Sequence, residues 1–269
     1  MPVHYEPGDD HVVWITIDRP EAMNSLDMDH FAQLRKAWDR FGDDDESWVA
    51  IITGVGNAFC TGADLKTYIP QITKLQREIA SREIEELDGY RIDDGIRAVL
   101  RGVKLYKPII AAVNGACVAG GMEMLGGCDI RVAVPESYFG VMEPKRGLFA
   151  GGGTTVRLPR QVAFPAAMEF LLCADRVPAA QAMTMGLLNA VVPADQLRSK
   201  AEEYAQRITA NGPLAVRKTK ESVLRGLAVD MHEAYKIESE ISKEVFSSDD
   251  AKEGPAAFAE KRTPRWTNR

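Results

Sequence analysis

Glu123 closes the run Val118-Ala119-Gly120-Gly121-Met122, and Glu143 follows Phe139-Gly140-Val141-Met142 just ahead of Pro144. Two carboxylates can divide acid–base work: one takes a proton from water while the other, kept protonated, gives one up. Each also has a purely structural reading. Glu123, three residues past Gly120, suits a capping-box glutamate in a first helical turn. Glu143 suits a solvated turn residue held extended by the proline. The glycines tie the pair to chemistry. Gly120 is expected to open a helix after a strand, which puts its N–H at the positive end of a helix dipole. A second glycine segment reads Phe59-Cys60-Thr61-Gly62-Ala63-Asp64-Leu65-Lys66. The small side chain at Ala63 leaves its N–H approachable. Two such N–H groups from different strand ends can converge on one oxygen as an oxyanion hole, in which one donor is typically worth ~3–4 kcal/mol. The plainer alternative is that these glycines only permit tight turns and close packing.

Other chemistries are poorly supplied. The four histidines, His4, His11, His30 and His232, lie outside the glycine-rich middle and read as surface residues. There is no GxSxG elbow, no HExxH and no His/Cys cluster with ligand spacing, so neither a Ser-His-Asp triad nor a metal site is expected. Gly54-Val55-Gly56-Asn57-Ala58-Phe59 begins like a dinucleotide fingerprint but has Phe59 at the third glycine. Gly151-Gly152-Gly153-Thr154-Thr155 lacks the lysine of a P-loop. Cys60, Cys117, Cys128 and Cys173 show no CxxC spacing and read as reduced thiols of a cytoplasmic protein. A net charge of −6 argues against a nucleic-acid partner. No apolar run is long enough for a membrane span, and the first ten residues do not look like a signal peptide.

The elements that must position these residues are α/β in class. His11 to Ile17, Trp48 to Thr53, Lys107 to Val113 and Asp129 to Val134 read as strands, most of them buried, alternating with helices. That pattern indicates a mostly parallel sheet covered on both faces. Ser25 and Asp27 offer caps for a first helix that buries Phe31, Leu34, Trp38 and Phe41. The polar, charged stretch Thr67 to Val103 reads as a helical insertion with a solvated face. Residues 1–195 read as the core and 196–269 as a helical C-terminal region. Its amphipathic segments run near Asp195 to Ala210, Pro213 to Leu227, His232 to Phe246 and Asp249 to Lys261.

Taken together the segments resemble the crotonase (enoyl-CoA hydratase/isomerase) superfamily. The matching pieces are Ala58 to Lys66, Lys107 to Met124, Cys128 to Ala133, Tyr138 to Leu148, Gly151 to Arg160 and Asp249 to Trp266. They stand in the family's order and at its usual spacing, over nearly the whole chain except Thr67 to Val103, which the resemblance places over the acyl pocket. The resemblance implies a spiral of stacked ββα turns with a helical C-terminal region that trimerises, often as a dimer of trimers. It implies an acyl-CoA thioester substrate and no metal or redox cofactor, coenzyme A being part of the substrate. By position, Ala63 and Gly120 match the amides that hold the thioester oxygen. Asp64, Leu65 and Lys66 match the segment lining the CoA site. Phe258 and Lys261 match tail positions that reach CoA, in some members from a neighbouring subunit.

Both glutamates of the family's hydratases are matched: Glu123 the one that deprotonates water, Glu143 the one that delivers a proton to the α-carbon. The pair favours hydration of a trans-2-enoyl-CoA to a 3-hydroxyacyl-CoA, or the reverse. Carnitinyl-type dehydration, double-bond isomerisation, thioester hydrolysis and CoA-thioester binding without turnover are the alternatives on this fold. Lys145 and Arg146 follow Glu143 where apolar residues are usual, and Ala150 replaces a common proline. A cation aimed at Glu143 would favour its ionised form.

Overall fold

The computed structural model describes residues 3–8, 10–82 and 84–269. The chain opens with β1 (Val3–Pro7), β2 (Val12–Ile17), α1 (Met28–Asp43), β3 (Val49–Gly54) and β4 (Ala58–Cys60). The insertion follows: α2 (Tyr68–Arg82), β5 (Glu86–Leu87), β6 (Tyr90–Arg91) and α3 (Asp94–Ala98). Then come β7 (Ile109–Val113), β8 (Ala116–Val118), α4 (Gly120–Leu125), β9 (Ile130–Ala133), β10 (Tyr138–Gly140), α5 (Thr154–Gln161) and α6 (Phe164–Met168). The last part holds β11 (Val177–Pro178), α7 (Ala179–Thr184), β12 (Ala190–Val191), α8 (Leu197–Thr209), α9 (Pro213–Gly226), α10 (Met231–Phe246) and α11 (Asp250–Ala259).

One sheet has the order β1-β2-β3-β7-β9-β12 and is parallel throughout, except for its antiparallel edge strand β1. A second has the order β11-β10-β8-β4, parallel from β10 to β4. Each of the pairs β3–β4, β7–β8 and β9–β10 gives one strand to each sheet, so successive turns stack as a spiral. The four central strands of the first sheet match the sequence reading, which did not include its edge strands β1 and β12. The second comprises strands of only two or three residues, rich in Ala, Cys and Gly, too short for alternation to register.

Both faces of the first sheet are apolar, as a covered parallel sheet requires. Val13, Ile15, Ile17, Ala50 and Ile52 face a core shared with Leu34, Trp38 and Phe41 of α1 and with Phe59. Val12, Trp14, Val49, Ile51 and Val132 face Leu197, Ala201 and Ala205 of α8. Each fully buried Ile or Leu contributes about 1.5–3 kcal/mol relative to exposure. Helix α1 begins where the sequence places it, the Asp27 carboxylate accepting from His30 N–H at 3.0 Å. Its far end is capped by the buried Lys107, whose Nζ donates to the Phe41 and Asp44 carbonyls at 2.8 and 2.6 Å.

Two expectations are corrected. The Thr67 to Val103 stretch is not purely helical: Gly89, at φ +85°, turns a short β5–β6 hairpin between α2 and α3. Its helical spacing is real in α2, which buries Leu75 and Ile79. His30 is buried rather than on the surface, because its Nδ1 lies 2.7 Å from Asp27 Oδ1 and so satisfies one ring nitrogen inside. Among the described residues no helix is long and apolar enough to cross a membrane.

Candidate active site

The site begins where β4 ends. Gly62 carries φ +87° and lets the chain turn sharply there. The Gly62 carbonyl accepts from Leu26 N–H, and Asp64 N–H donates to the Leu26 carbonyl, both at 2.8 Å. Ala63 is therefore bridged to Leu26 as a parallel pair. Backbone groups alternate sides along extended chain, so the Ala63 N–H turns away from Leu26.

The opposing segment is the start of α4. Ala119 adopts φ 51°, ψ −122°, a conformation rare outside glycine. It sets the orientation of the 119–120 peptide and hence of the Gly120 N–H. The two backbones abut: a Cβ on Gly62 would lie 2.8 Å from Gly120 N, and a Cβ on Gly120 would lie 3.7 Å from Ala63 N. Among the described residues neither amide donates to an acceptor of the chain. The two donors predicted from sequence are thus brought together and left unpaired, as an oxyanion hole requires.

Glu123 lies on α4 one turn further on and is only 9% exposed. It is not a capping-box residue, since the Ala119 N–H goes instead to the Gly140 carbonyl at 2.9 Å. Its Oε1 accepts the Gly152 N–H. Burial raises its pKa to about 7, and the nearby Glu143 adds to the rise, while the Gly152 amide, Arg157 and Arg101 oppose it.

Glu143 is half-buried, and its Oε2 is buried without a hydrogen-bond partner. Its backbone is helical, at φ −58°, ψ −45°, rather than extended ahead of Pro144. Its carbonyl accepts from Arg146 and Leu148 N–H at 2.9 and 3.0 Å, which holds the tight turn against the proline's preference. Burial raises its pKa, and the charge of Arg146 opposes without prevailing. Lys145 is occupied with Asp175 at 2.5 Å, and Arg146 donates to the Met142 carbonyl at 3.2 Å. Neither cation therefore cancels the upward shift that burial gives Glu143.

Three residues of this site went unread in the sequence. Gly152 lies in the triple-glycine run, where a Cβ would overlap the Glu123 carboxylate. Arg157 donates from Nη1 to the Val99 and Glu123 carbonyls, both at 3.0 Å. Arg101 donates to the Gly151 carbonyl at 2.5 Å. Neither arginine has a sequence signature.

Asp64 is anchored by Arg19 at 2.9 Å and accepts the Lys66 N–H at 3.0 Å. Burial would raise its pKa, but these partners lower it below the usual carboxylate range. Leu65 and Lys66 project to solvent beside it. Phe258, 87% exposed on α11, and the exposed Lys261 beyond it make no hydrogen bond to this cluster through their side chains. The Gly54 to Phe59 turn leads into strand β4, not a helix, and its carbonyls are taken by Asn24 and Asn114. It therefore offers no helix N-terminus to a pyrophosphate.

The chain matches the enoyl-CoA hydratase/isomerase family over residues 8–269. An enoyl-CoA hydratase of Mycobacterium tuberculosis is 42% identical over 261 residues, covering 96% of this chain and 94% of that protein. An (E)-benzylidenesuccinyl-CoA hydratase of Thauera aromatica is 36% identical, covering 98% of each. The crystal structure of an enoyl-CoA hydratase from Bacillus anthracis superposes with a TM-score of 0.89 at 32% identity, over 100% of both chains. By this match and by its spiral fold, the chain belongs to the enoyl-CoA hydratase/isomerase family of the crotonase superfamily and is most like the enoyl-CoA hydratases.

Proposed function

We propose that the protein adds water across the double bond of a trans-2-enoyl-CoA to give a 3-hydroxyacyl-CoA, or runs the reverse dehydration. The observation that carries this reading is the buried Glu123 and half-buried Glu143 beside two unpaired amides. The thioester oxygen accepts from the Ala63 and Gly120 N–H groups, which stabilise the negative charge it gains as the enolate forms. Ionised Glu123 removes a proton from water while the water oxygen bonds to the β-carbon. The π electrons move onto the α-carbon and thioester oxygen, and protonated Glu143 supplies the α-proton. Return of the proton from Glu123 to Glu143 resets the pair. One water is consumed, and the scheme uses no metal or redox cofactor.

In the same reading Asp64, Leu65 and Lys66 line the CoA path, with Asp64 fixed by Arg19. Phe258 and Lys261 reach it from a neighbouring subunit. Self-association as a homotrimer or hexamer is supported by the exposed apolar side chains of Leu224, Leu227, Met231, Tyr235 and Phe246. Sedimentation equilibrium tests it, and a monomer at micromolar concentration refutes it.

The activity is tested by following loss of the conjugated enoyl-thioester absorbance over a panel of acyl chains, with product mass measured. Hydration adds one water; isomerisation leaves the mass unchanged. Glu123→Gln and Glu143→Gln are each expected to lose most activity, on the order of 10²-fold or more. Full activity in both folded variants overturns the two-carboxylate mechanism.

A further inference from the structure

Glu123 sits in a closed circuit of hydrogen bonds that runs through four segments of the chain. Its Oε1 accepts the Gly152 N–H. The adjoining residue's carbonyl, Gly151 O, accepts from Arg101 Nη1 at 2.5 Å. The neighbouring carbonyl, Leu100 O, accepts from Arg157 Nη2. Arg157 Nη1 closes the ring on the carbonyl of Glu123 itself at 3.0 Å. The stretch bearing Arg101 is fixed in turn. Leu100 takes the left-handed conformation at φ 61°, and Arg101 N–H donates to the Ile96 carbonyl at 3.0 Å, winding up the end of α3.

Arg157 is the half-buried part of this ring. Arg101 is the exposed half, and among the described residues it has no carboxylate partner. An arginine that holds a backbone carbonyl keeps its full charge, so it acts on the site both by position and by field. We propose that Arg101 is a positioning residue for Glu123: it clamps the Gly151 carbonyl so that the Gly152 N–H meets the carboxylate, and it supplies the positive charge on the solvent side of the site. The inference rests on the reading of Glu123 as the base.

The groups that face Glu123 are Glu143 from the loop after β10, Arg157 from α5, the buried Cys60 thiol from β4, and Arg101. Glu143 disfavours the ionised carboxylate; the two arginines favour it. Removing Arg101 therefore moves the ionisation of Glu123 to higher pH. The limb of the pH profile that reports the Glu123 base rises with it.

Three substitutions separate the two contributions. Arg101→Lys keeps the charge and is expected to keep the pH profile. Arg101→Gln keeps a donor for the carbonyl but shifts that limb upward. Arg101→Met loses both and is expected to lower kcat about tenfold or more, with KM little changed. The readout that needs no turnover is the ¹³C titration of the Glu123 carboxyl in the intact protein, assigned by its absence in Glu123→Gln. That titration is expected to move to higher pH in Arg101→Gln and Arg101→Met and to stay in Arg101→Lys. Wild-type kcat in Arg101→Met, or an unmoved Glu123 titration in Arg101→Gln, overturns the proposal. Should the wild type hydrate no enoyl thioester while the titration still shifts, the functional reading fails and the electrostatic link of Arg101 to Glu123 stands.

Discussion

Replacing Glu123 by Gln is expected to stabilise the folded protein, and increasingly so as pH rises. The side chain is buried, and its folded-state pKa is about 7, against 4.5 for an unperturbed glutamate. Between those two values the folded chain holds a proton that the unfolded chain has released, so stability falls as pH rises through the window. Each pH unit in it is worth ~1.4 kcal/mol, which sets the full cost above neutrality at about 3 kcal/mol. Glutamine mimics the protonated acid: it has nearly the same shape, carries no charge, and keeps a carbonyl oxygen for the Gly152 N–H. Denaturant unfolding of the two proteins at one fixed protein concentration reads the difference. Near pH 5 the gain is expected to be below about 1 kcal/mol; near pH 8 it approaches about 3 kcal/mol. A gain that does not change with pH, or a loss at pH 8, refutes the electrostatic account of the site.

Two glycine substitutions probe the geometry. Gly62→Ala puts a methyl 2.8 Å from both Ala119 Cβ and Gly120 N, at a residue with φ +87°. It is expected to cost ~1–3 kcal/mol of stability by unfolding, and 10²–10³-fold in turnover as the two amides are pushed apart. Gly152→Ala drives the Glu123 carboxylate out of its place and is expected to lower kcat by about 10²-fold while a saturated acyl-CoA still binds with near wild-type affinity. Loss of binding in step with turnover would refute the proposed division between amides that hold the thioester and carboxylates that move protons.

The legible parts of this fold are those with many repeats of a pattern. Helix α1 shows about four turns of apolar spacing behind the Asp27 cap, and the central strands of the first sheet are mostly buried Val, Ile and Ala. Helices α8 to α11 appear near the positions their spacing predicts. The second sheet had no pattern to read, since β4, β8 and β10 span three residues each. Glu123, Glu143, Ala63 and Gly120 were singled out because glycines mark where backbone must come close. Arg101, Arg157 and Gly152 act through carbonyl and amide groups, whose partners are chosen by tertiary structure, so residue type alone could not point to them. For the same reason the helical backbone of Glu143 escaped notice, as it depends on amides donated from Arg146 and Leu148.

The site also shows where this chain tolerates unfavourable local states. Ala119 holds a strained backbone, Glu123 is buried where its charged form is disfavoured, and Glu143 keeps a buried oxygen without a partner. Features of this kind cost on the order of 1–3 kcal/mol each, and they persist only where surrounding packing over-determines them. Here that packing is specific. Gly62 and Gly120 are locked backbone to backbone, α4 is fully buried between the two sheets' connections, and Arg157 pins the carbonyl of Glu123 to the end of α3. Relaxing any one of these states would gain stability and lose the alignment of donors with the carboxylate pair. The gain expected for Glu123→Gln at high pH and the loss of turnover expected in the same variant are therefore two readings of one physical cause: a charge held where the folded chain disfavours it and the proposed hydration needs it.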